Sequence, residues 1–226
     1  MRKVILAALI TSAAVAGCGS TPHAYYDTVP VTFSATLTTP TGTTPAPVNK
    51  AYLGPEGLPV ETGPFLASPL TSTLGPVVDG IQCQPMAQHA YTAYAHLQVY
   101  VNGHPRTLPG GIGLVNEVPR LTAQGFVYRA STCMYWLHTR ADDGVIQIQS
   151  PVPRRFTLGD LFRIWNQPLT RNRIADARGH LTVTLNGKHW NAPPGGVPLR
   201  EHAVIQIDVG TPVVRFQPVS WLGTGL

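Results

Sequence analysis

Charge is scarce in this chain. Asp, Glu, Lys and Arg make up 12% of its 226 residues, about half the usual ~25%. Lys and Arg outnumber Asp and Glu by 16 to 11, a formal net charge of +5. The basic residues are scattered. Only Arg154-Arg155 and Arg171 to Arg178 gather modestly, without interleaved aromatics, which speaks against nucleic acid as a partner. No apolar run reaches the ~20 residues that a spanning helix needs. There is no Gly-x-Ser-x-Gly elbow, P-loop or dinucleotide fingerprint, and Gly110-Gly111-Ile112-Gly113 lacks a following helical pattern. Cysteine is limited to three residues. In place of charge the chain carries Thr, Ala, 22 Gly and 22 Pro, with a hydrophobic fraction of 43% that suffices for a core. This length suits one domain plus a tail, or two small domains.

The N-terminus is the most specific segment. Arg2 and Lys3 give a positive start, Val4 to Ala16 is apolar apart from Thr11 and Ser12, and Val15-Ala16-Gly17 precedes Cys18. A run this short fits a secretory signal peptide. The block resembles the lipobox of bacterial lipoproteins. That resemblance implies a signal peptide over 1–17, cleavage before Cys18, lipidation of Cys18 by palmitate-like chains, and anchoring to the membrane of the cell envelope. Gly19, rather than Asp, then implies the outer membrane if the cell is Gram-negative. Loss of Arg2 and Lys3 leaves a net charge of about +3. With Cys18 consumed, Cys83 and Cys133 remain as a pair in an oxidising compartment. A disulfide bond is the default there, with a soft metal site on the two thiols as the alternative.

Residues 18–80 read as a Pro/Thr-rich tether, with little to bury and extended by its prolines. Val31 to Leu37 alternates like a short strand. Leu53, Leu58, Phe65, Leu66 and Leu70 are spaced so that this part could drape over a folded domain. Residues 81–226 read as that domain, β-rich and globular. Tyr91 to Val101 alternates and runs into Asn102-Gly103, a strong hairpin signal. His96 to Gly103 matches His180 to Gly187 at an offset of 84, Pro109-Gly110-Gly111 matches Pro194-Gly195-Gly196 at 85, and Val145 to Ile148 matches Val204 to Ile207. These ordered matches point to two related halves, about 96–150 and 180–212, or to recurrent strand-turn-strand patterning alone. Between them one helix is expected at about 157–167, with Thr157 as N-cap, Asp160 at N3, an apolar face of Leu158, Leu161, Phe162 and Trp165, and Pro168 ending it. The fold class is therefore α+β, mostly antiparallel β with one main helix, and β-grasp-like in one specific form.

Metal-capable side chains concentrate in two segments, Cys83, Met86, His89, His96 and Cys133, Met134, His138. On a strand over 91–101, His96 points away from Leu97 and Val99, beside Tyr94 and Gln98. The stretch from 81 to 215 resembles an uncharacterised extracytoplasmic family of bacteria and archaea. The resemblance rests on Ala95-His96-Leu97, Val101-Asn102-Gly103, Pro109-Gly110-Gly111, Tyr135-Trp136-Leu137-His138-Thr139, Gly144-Val145-Ile146 and Thr157-Leu158-Gly159-Asp160. Members of that family are richer in histidine, in a pattern that implies copper or zinc coordination. Here Thr92, Tyr94, Arg140, Gln147 and Gln149 stand where ligands would be, leaving His96 and His138 as a reduced metal site. The alternative is that both are hydrogen-bonded polar residues of a sheet. His89, His104, His180, His189 and His202 read as surface or turn residues, and Met86 and Met134 as packing. Ser131, His138 and Asp142 are the right types for a hydrolytic triad but lack its context.

The expectation is a membrane-anchored envelope lipoprotein, not an enzyme, with a binding or scaffolding role, no cofactor and an envelope protein as partner. The alternatives are a copper- or zinc-binding protein at His96 and His138, and an exported hydrolase.

Overall fold

The alternating pattern of Tyr91 to Val101 produces the central strand of the protein. The structure, a computed structural model, describes residues 53–60, 62–69 and 75–226. Cys18, the signal peptide and the strand expected at Val31 to Leu37 lie outside the described residues. The described residues fall within one compact unit, Pro47–Leu226.

The strands, in chain order, begin with β1 (Cys83–Gln84), β2 (Tyr91–Val101), β3 (His104–Arg106), β4 (Leu114–Thr122) and β5 (Gly125–Tyr135). There follow β6 (Leu137–His138), β7 (Val145–Ser150), β8 (Phe156–Thr157) and the helix α1 (Leu158–Ile164). The second part adds β9 (Leu169–Thr170), β10 (Arg173–Ile174), β11 (Ala177–Arg178), β12 (Leu181–Leu185), β13 (Lys188–His189), β14 (Pro198–Leu199) and β15 (Ala203–Val209). The main sheet has seven strands in the order β13-β12-β15-β2-β7-β6, with β3 also paired to β2. Strands β1, β5 and β4 form a separate antiparallel ribbon, and β14 pairs with β8. The protein is α+β and mostly antiparallel, with a single α-helix among the described residues. The exception is the central pair, where β15 runs parallel to β2.

One face of the main sheet is apolar. Leu97 faces Ile205, Val99 and Val183 face Ile207, and Ala93, Ile148 and Leu137 lie in one row. The helix lays Leu158, Leu161, Phe162, Ile164 and Trp165 into the same core. Its N-terminus carries the expected capping box: the Thr157 hydroxyl accepts from the Asp160 N–H, and the Asp160 carboxylate accepts from the Thr157 N–H at 2.7 Å. The helix stops at Ile164, before Pro168 could end it. Asn166 takes φ +56°, so its N–H reaches Arg163 O and the Gln167 N–H reaches Phe162 O. That is a Schellman closure with asparagine in the left-handed position.

The two Asn-Gly turns are alike. Asn102 and Asn186 have φ of 51° and 50°, and each closes a hairpin two residues apart, Val101 to His104 and Leu185 to Lys188. The two Val-Ile-Gln-Ile strands pair differently. β7 shares an edge of β2 with β3 and sets Ala95 against Ile146, whereas β15 takes the edge of β12 away from β13 and sets Leu185 against Ile205.

The segments before residue 81 contribute to this unit. Leu58, Leu66 and Ala67 are buried, and Trp165 Nε1 donates to Ser68 O at 2.7 Å. The disulfide Cys83–Cys133 ties β1 to β5, with the two Cα atoms 5.4 Å apart, so neither cysteine is a thiol free for a metal.

Candidate functional site

The second face of the main sheet is polar and yet buried. Alternation sends Tyr94, His96, Gln98 and Tyr100 of β2 to that side, with Val145 and Gln147 of β7, His138 of β6, and Gln206 and Asp208 of β15. Gln98 faces Gln206, and Tyr100 faces Asp208. His96, Gln98, His138, Gln147, Gln206 and Asp208 are all buried.

Two chain segments cover this layer. The C-terminal stretch lies along β15: Gln206 Nε2 donates to Val214 O, Val214 N to Asp208 Oδ1, and Gln217 N to Gln206 Oε1. At the other end sits the turn from Gly54 to Leu58, closed by Gly54 N to Leu58 O at 2.8 Å. It inserts Glu56, whose carboxylate accepts from Gln147 Nε2 and whose N–H donates to Asp143 Oδ2 at 3.1 Å. Asp143 Oδ1 also accepts from Val145 N at 3.4 Å.

Each buried polar atom needs a partner or carries a penalty. His96 Nε2 donates to Asp143 O at 2.8 Å, and His138 Nδ1 donates to Tyr135 O at 2.9 Å. A carbonyl only accepts, so these bonds fix both tautomers. The bare nitrogens, Nδ1 of His96 and Nε2 of His138, are buried without a hydrogen-bond partner, as are Glu56 Oε2 and Gln98 Oε1. Gln147 lies beside His138 but turns its amide nitrogen to Glu56.

Burial also sets the charge states. It pulls both imidazoles from 6.5 down to about 4, so both are neutral at pH 7. Burial, and then the neighbouring Asp143, pushes Glu56 up to about 8. Asp143 is raised by burial against the pull of its N–H donors. The Glu56–Asp143 pair therefore holds a proton at neutral pH, because two adjacent carboxylates in an apolar setting resist double ionisation.

The two sequence-derived metal candidates share this face but not a coordination sphere. His138 is level with Gln147 and Gln147 with Tyr94, while His96 is level with Val145. The two histidines flank β7 and are offset by two residues along it, so two inter-strand spacings and that rise set their Cα atoms about 12 Å apart. Their rings lean opposite ways, His96 toward Asp143 before the start of β7 and His138 back toward Tyr135. No three His, Cys, Asp or Glu side chains converge as a metal site requires among the described residues. In this arrangement the residues do not fit one shared ion.

The hydrolytic trio is not assembled either. Ser131 is exposed and donates to Asn116 O, and Asp142 Oδ1 accepts from Gly110 N. Neither meets His138. His89, His104, His180, His189 and His202 are exposed, and Met86 is on the surface. Beside His96 lies a cavity of 10 Å³, room for about one water.

Sequence reasoning missed Glu56 and Asp143 as members of this cluster. Glu56 sits in a segment read as tether. The signal available was Gly54-Pro55 next to Leu58, a turn beside an apolar anchor. Asp143 sits in the turn before β7, and its carboxylate holds the covering segment through the Glu56 N–H.

Comparison of the chain with protein-family models, with curated proteins and with solved structures finds no match.

Proposed function

We propose that this chain is a lipid-anchored protein of the cell envelope whose role is binding or scaffolding rather than catalysis. The observation that carries the second half is the enclosure of its chemically competent groups. His96, His138 and Asp143 are buried, the Gly54–Leu58 turn points Glu56 inward onto Asp143 and Gln147, and there is space for one water beside His96. Neutral imidazoles and a protonated acid in that setting hold a sheet together; a general base needs reach to a substrate proton. The anchoring half rests on Arg2 to Cys18. The partners that follow are the membrane, through acylated Cys18, and an envelope protein. In a Gram-negative cell the address is the outer membrane.

Two experiments test the reading. Labelling with a clickable fatty acid should mark the wild type and not Cys18→Ser; equal labelling overturns the anchor. A broad hydrolase screen should find no turnover; turnover abolished in His138→Ala overturns the non-enzymatic role.

A second reading, copper or zinc binding, is favoured by one observation. Both imidazoles hold their N–H on a backbone carbonyl and leave the other nitrogen bare, the arrangement in which ligating histidines are oriented. Against it stand their divergence across β7 and the absence of a third converging ligand among the described residues. Calorimetric titration with Zn²⁺ and Cu²⁺ decides: stoichiometric binding lost in His96→Ala supports the metal reading, and no heat removes it.

A further inference from the structure

Away from the histidines, a cavity of 450 Å³ opens where the β8–β14 ribbon meets the start of β2 and the loop carrying Trp190. That volume lies within the ~300–1,000 Å³ of ordinary small-ligand sites. Its inner wall is apolar. Phe156 and Leu199 face each other across the ribbon and are buried. Tyr91 stacks on Phe156 with ring centroids 6.4 Å apart and planes at 25°. Trp190 is held by its Nε1, which donates to Pro193 O at 3.2 Å.

The rim is cationic. Arg154, Arg155 and Arg200 line the cavity and no acidic side chain does. Arg154 stands with Cζ 5.0 Å from the Phe156 centroid and donates one hydrogen bond, at 3.5 Å, to Asp79 O. None of the three forms an ion pair among the described residues, because nearby acids are committed elsewhere. Asp79 and Asp160 bind Arg163, and Glu201 accepts from Tyr94 N. In a chain with so few charges, three guanidinium groups without an ion-pair partner among the described residues line one cavity that aromatic rings also line.

We propose that this cavity binds a small organic anion built on a flat unsaturated ring. The guanidinium fork matches a carboxylate or phosphate in two parallel hydrogen bonds. Tyr91 and Trp190, both half-buried, offer the apolar surface that a planar ring covers, and Phe156 backs Tyr91 from beneath. A neutral ring would leave the arginines without a counter-charge, and a bare inorganic anion would leave the aromatic wall wet. The site gives the binding role a location. It rests on the reading of the chain as a binding protein, not on its anchor or its histidines.

The test uses the purified full chain, isotope-labelled for amide NMR, with 2-naphthoate as probe. Naphthoate should shift the amides of Tyr91 and Phe156 and the indole N–H of Trp190, with a Kd of about 1 mM or tighter for a ligand of this size. Two controls, 2-naphthylmethanol with the ring but no charge and acetate with the charge but no ring, should bind at least about tenfold more weakly. The double variant R155Q/R200Q changes two exposed side chains, so it should keep the wild-type spectrum elsewhere and lose at least about tenfold in naphthoate affinity. No shifts at these residues, equal binding of the uncharged naphthyl compound, or unchanged affinity in the double variant would each overturn the proposal. Those failures would leave fatty-acid labelling of Cys18 and the hydrolase screen untouched, so the two readings fall separately.

Discussion

Replacing Glu56 by Gln should stabilise the protein and flatten its response to alkaline pH. Glu56 accepts from Gln147, borders Asp143 and is pushed from 4.5 up to about 8 by burial. A group whose folded pKa is raised contributes full stability below its unfolded pKa and loses it as pH rises toward the folded value. At pH 7 the chain sits about 2.5 pKa intervals above the unfolded value, an opposing contribution of about 3 kcal/mol at 1.36 kcal/mol per interval. That loss has a ceiling. Once it exceeds the free energy holding the Gly54–Leu58 turn on the sheet, the turn releases and Glu56 ionises in water. The ceiling is the sum of all contacts that hold the turn, of which burial of Leu58 supplies about 1.5–3 kcal/mol. Between pH 7 and 9 the histidines are neutral in both states, so Glu56 acts alone among them. Wild type should lose about 1–2 kcal/mol over that window, while E56Q, neutral at every pH and still able to accept from Gln147, should lose almost none. Urea denaturation at pH 7, 8 and 9 reads the global effect, and exchange of the Gly54 amide, bonded to Leu58 O, reads release of the turn. Parallel pH curves for the two proteins, or an E56Q that is the less stable at pH 7, would refute the reasoning.

Acidification acts through the histidines with the opposite sign. His96 and His138 fall from 6.5 to about 4 on folding, so stability should drop between pH 6.5 and 4.5 by about 2–3 kcal/mol per histidine; Glu56 offsets part of this, and E56Q should therefore show the steeper acid limb. Leu58→Ala should speed exchange of the Gly54 amide by more than it lowers global stability, since the turn can lift off alone; an unchanged exchange rate would mean that Leu58 does not hold it. Removing the Cys83–Cys133 bond, which closes a loop of 50 residues, should cost up to about 4 kcal/mol in the chain-entropy account, read as the difference between oxidised and reduced protein in urea. Gly144→Ala should be strongly destabilising, because φ is +78° and the added Cβ would lie 2.7 Å from Leu97 O and 2.8 Å from His96 Nε2; wild-type thermal stability in that variant would contradict the placement of the His96 ring.

The legible features share a local cause. The capping box at Thr157 and Asp160, the Asn-Gly turns and the separation of Leu97 and Val99 from His96 are all set by residues within a turn or a strand of one another. Helix length was less legible, because the left-handed Asn166 closed the helix before Pro168 could. The site was legible only as a list of residue types. His96 and His138 were identified from sequence, but their spacing across β7 and the opposite lean of their rings depend on strand order.

The sequence by itself determined which residues alternate, where the helix begins, and on which side of its strand His96 stands. Each follows from backbone periodicity or from the chemistry of a single segment. Only the tertiary structure decided that β15 pairs parallel with β2, that the polar side of the sheet is buried rather than wet, and that Glu56 crosses from a proline-rich segment to sit beside Asp143 and Gln147. Those outcomes depend on contacts between residues as far as 108 positions apart, Ala95 with Ala203. The gathering of Arg154, Arg155 and Arg200 around Tyr91, Phe156 and Trp190 has the same origin. Periodicity says which way a side chain points; only the packing of distant segments says what it meets there.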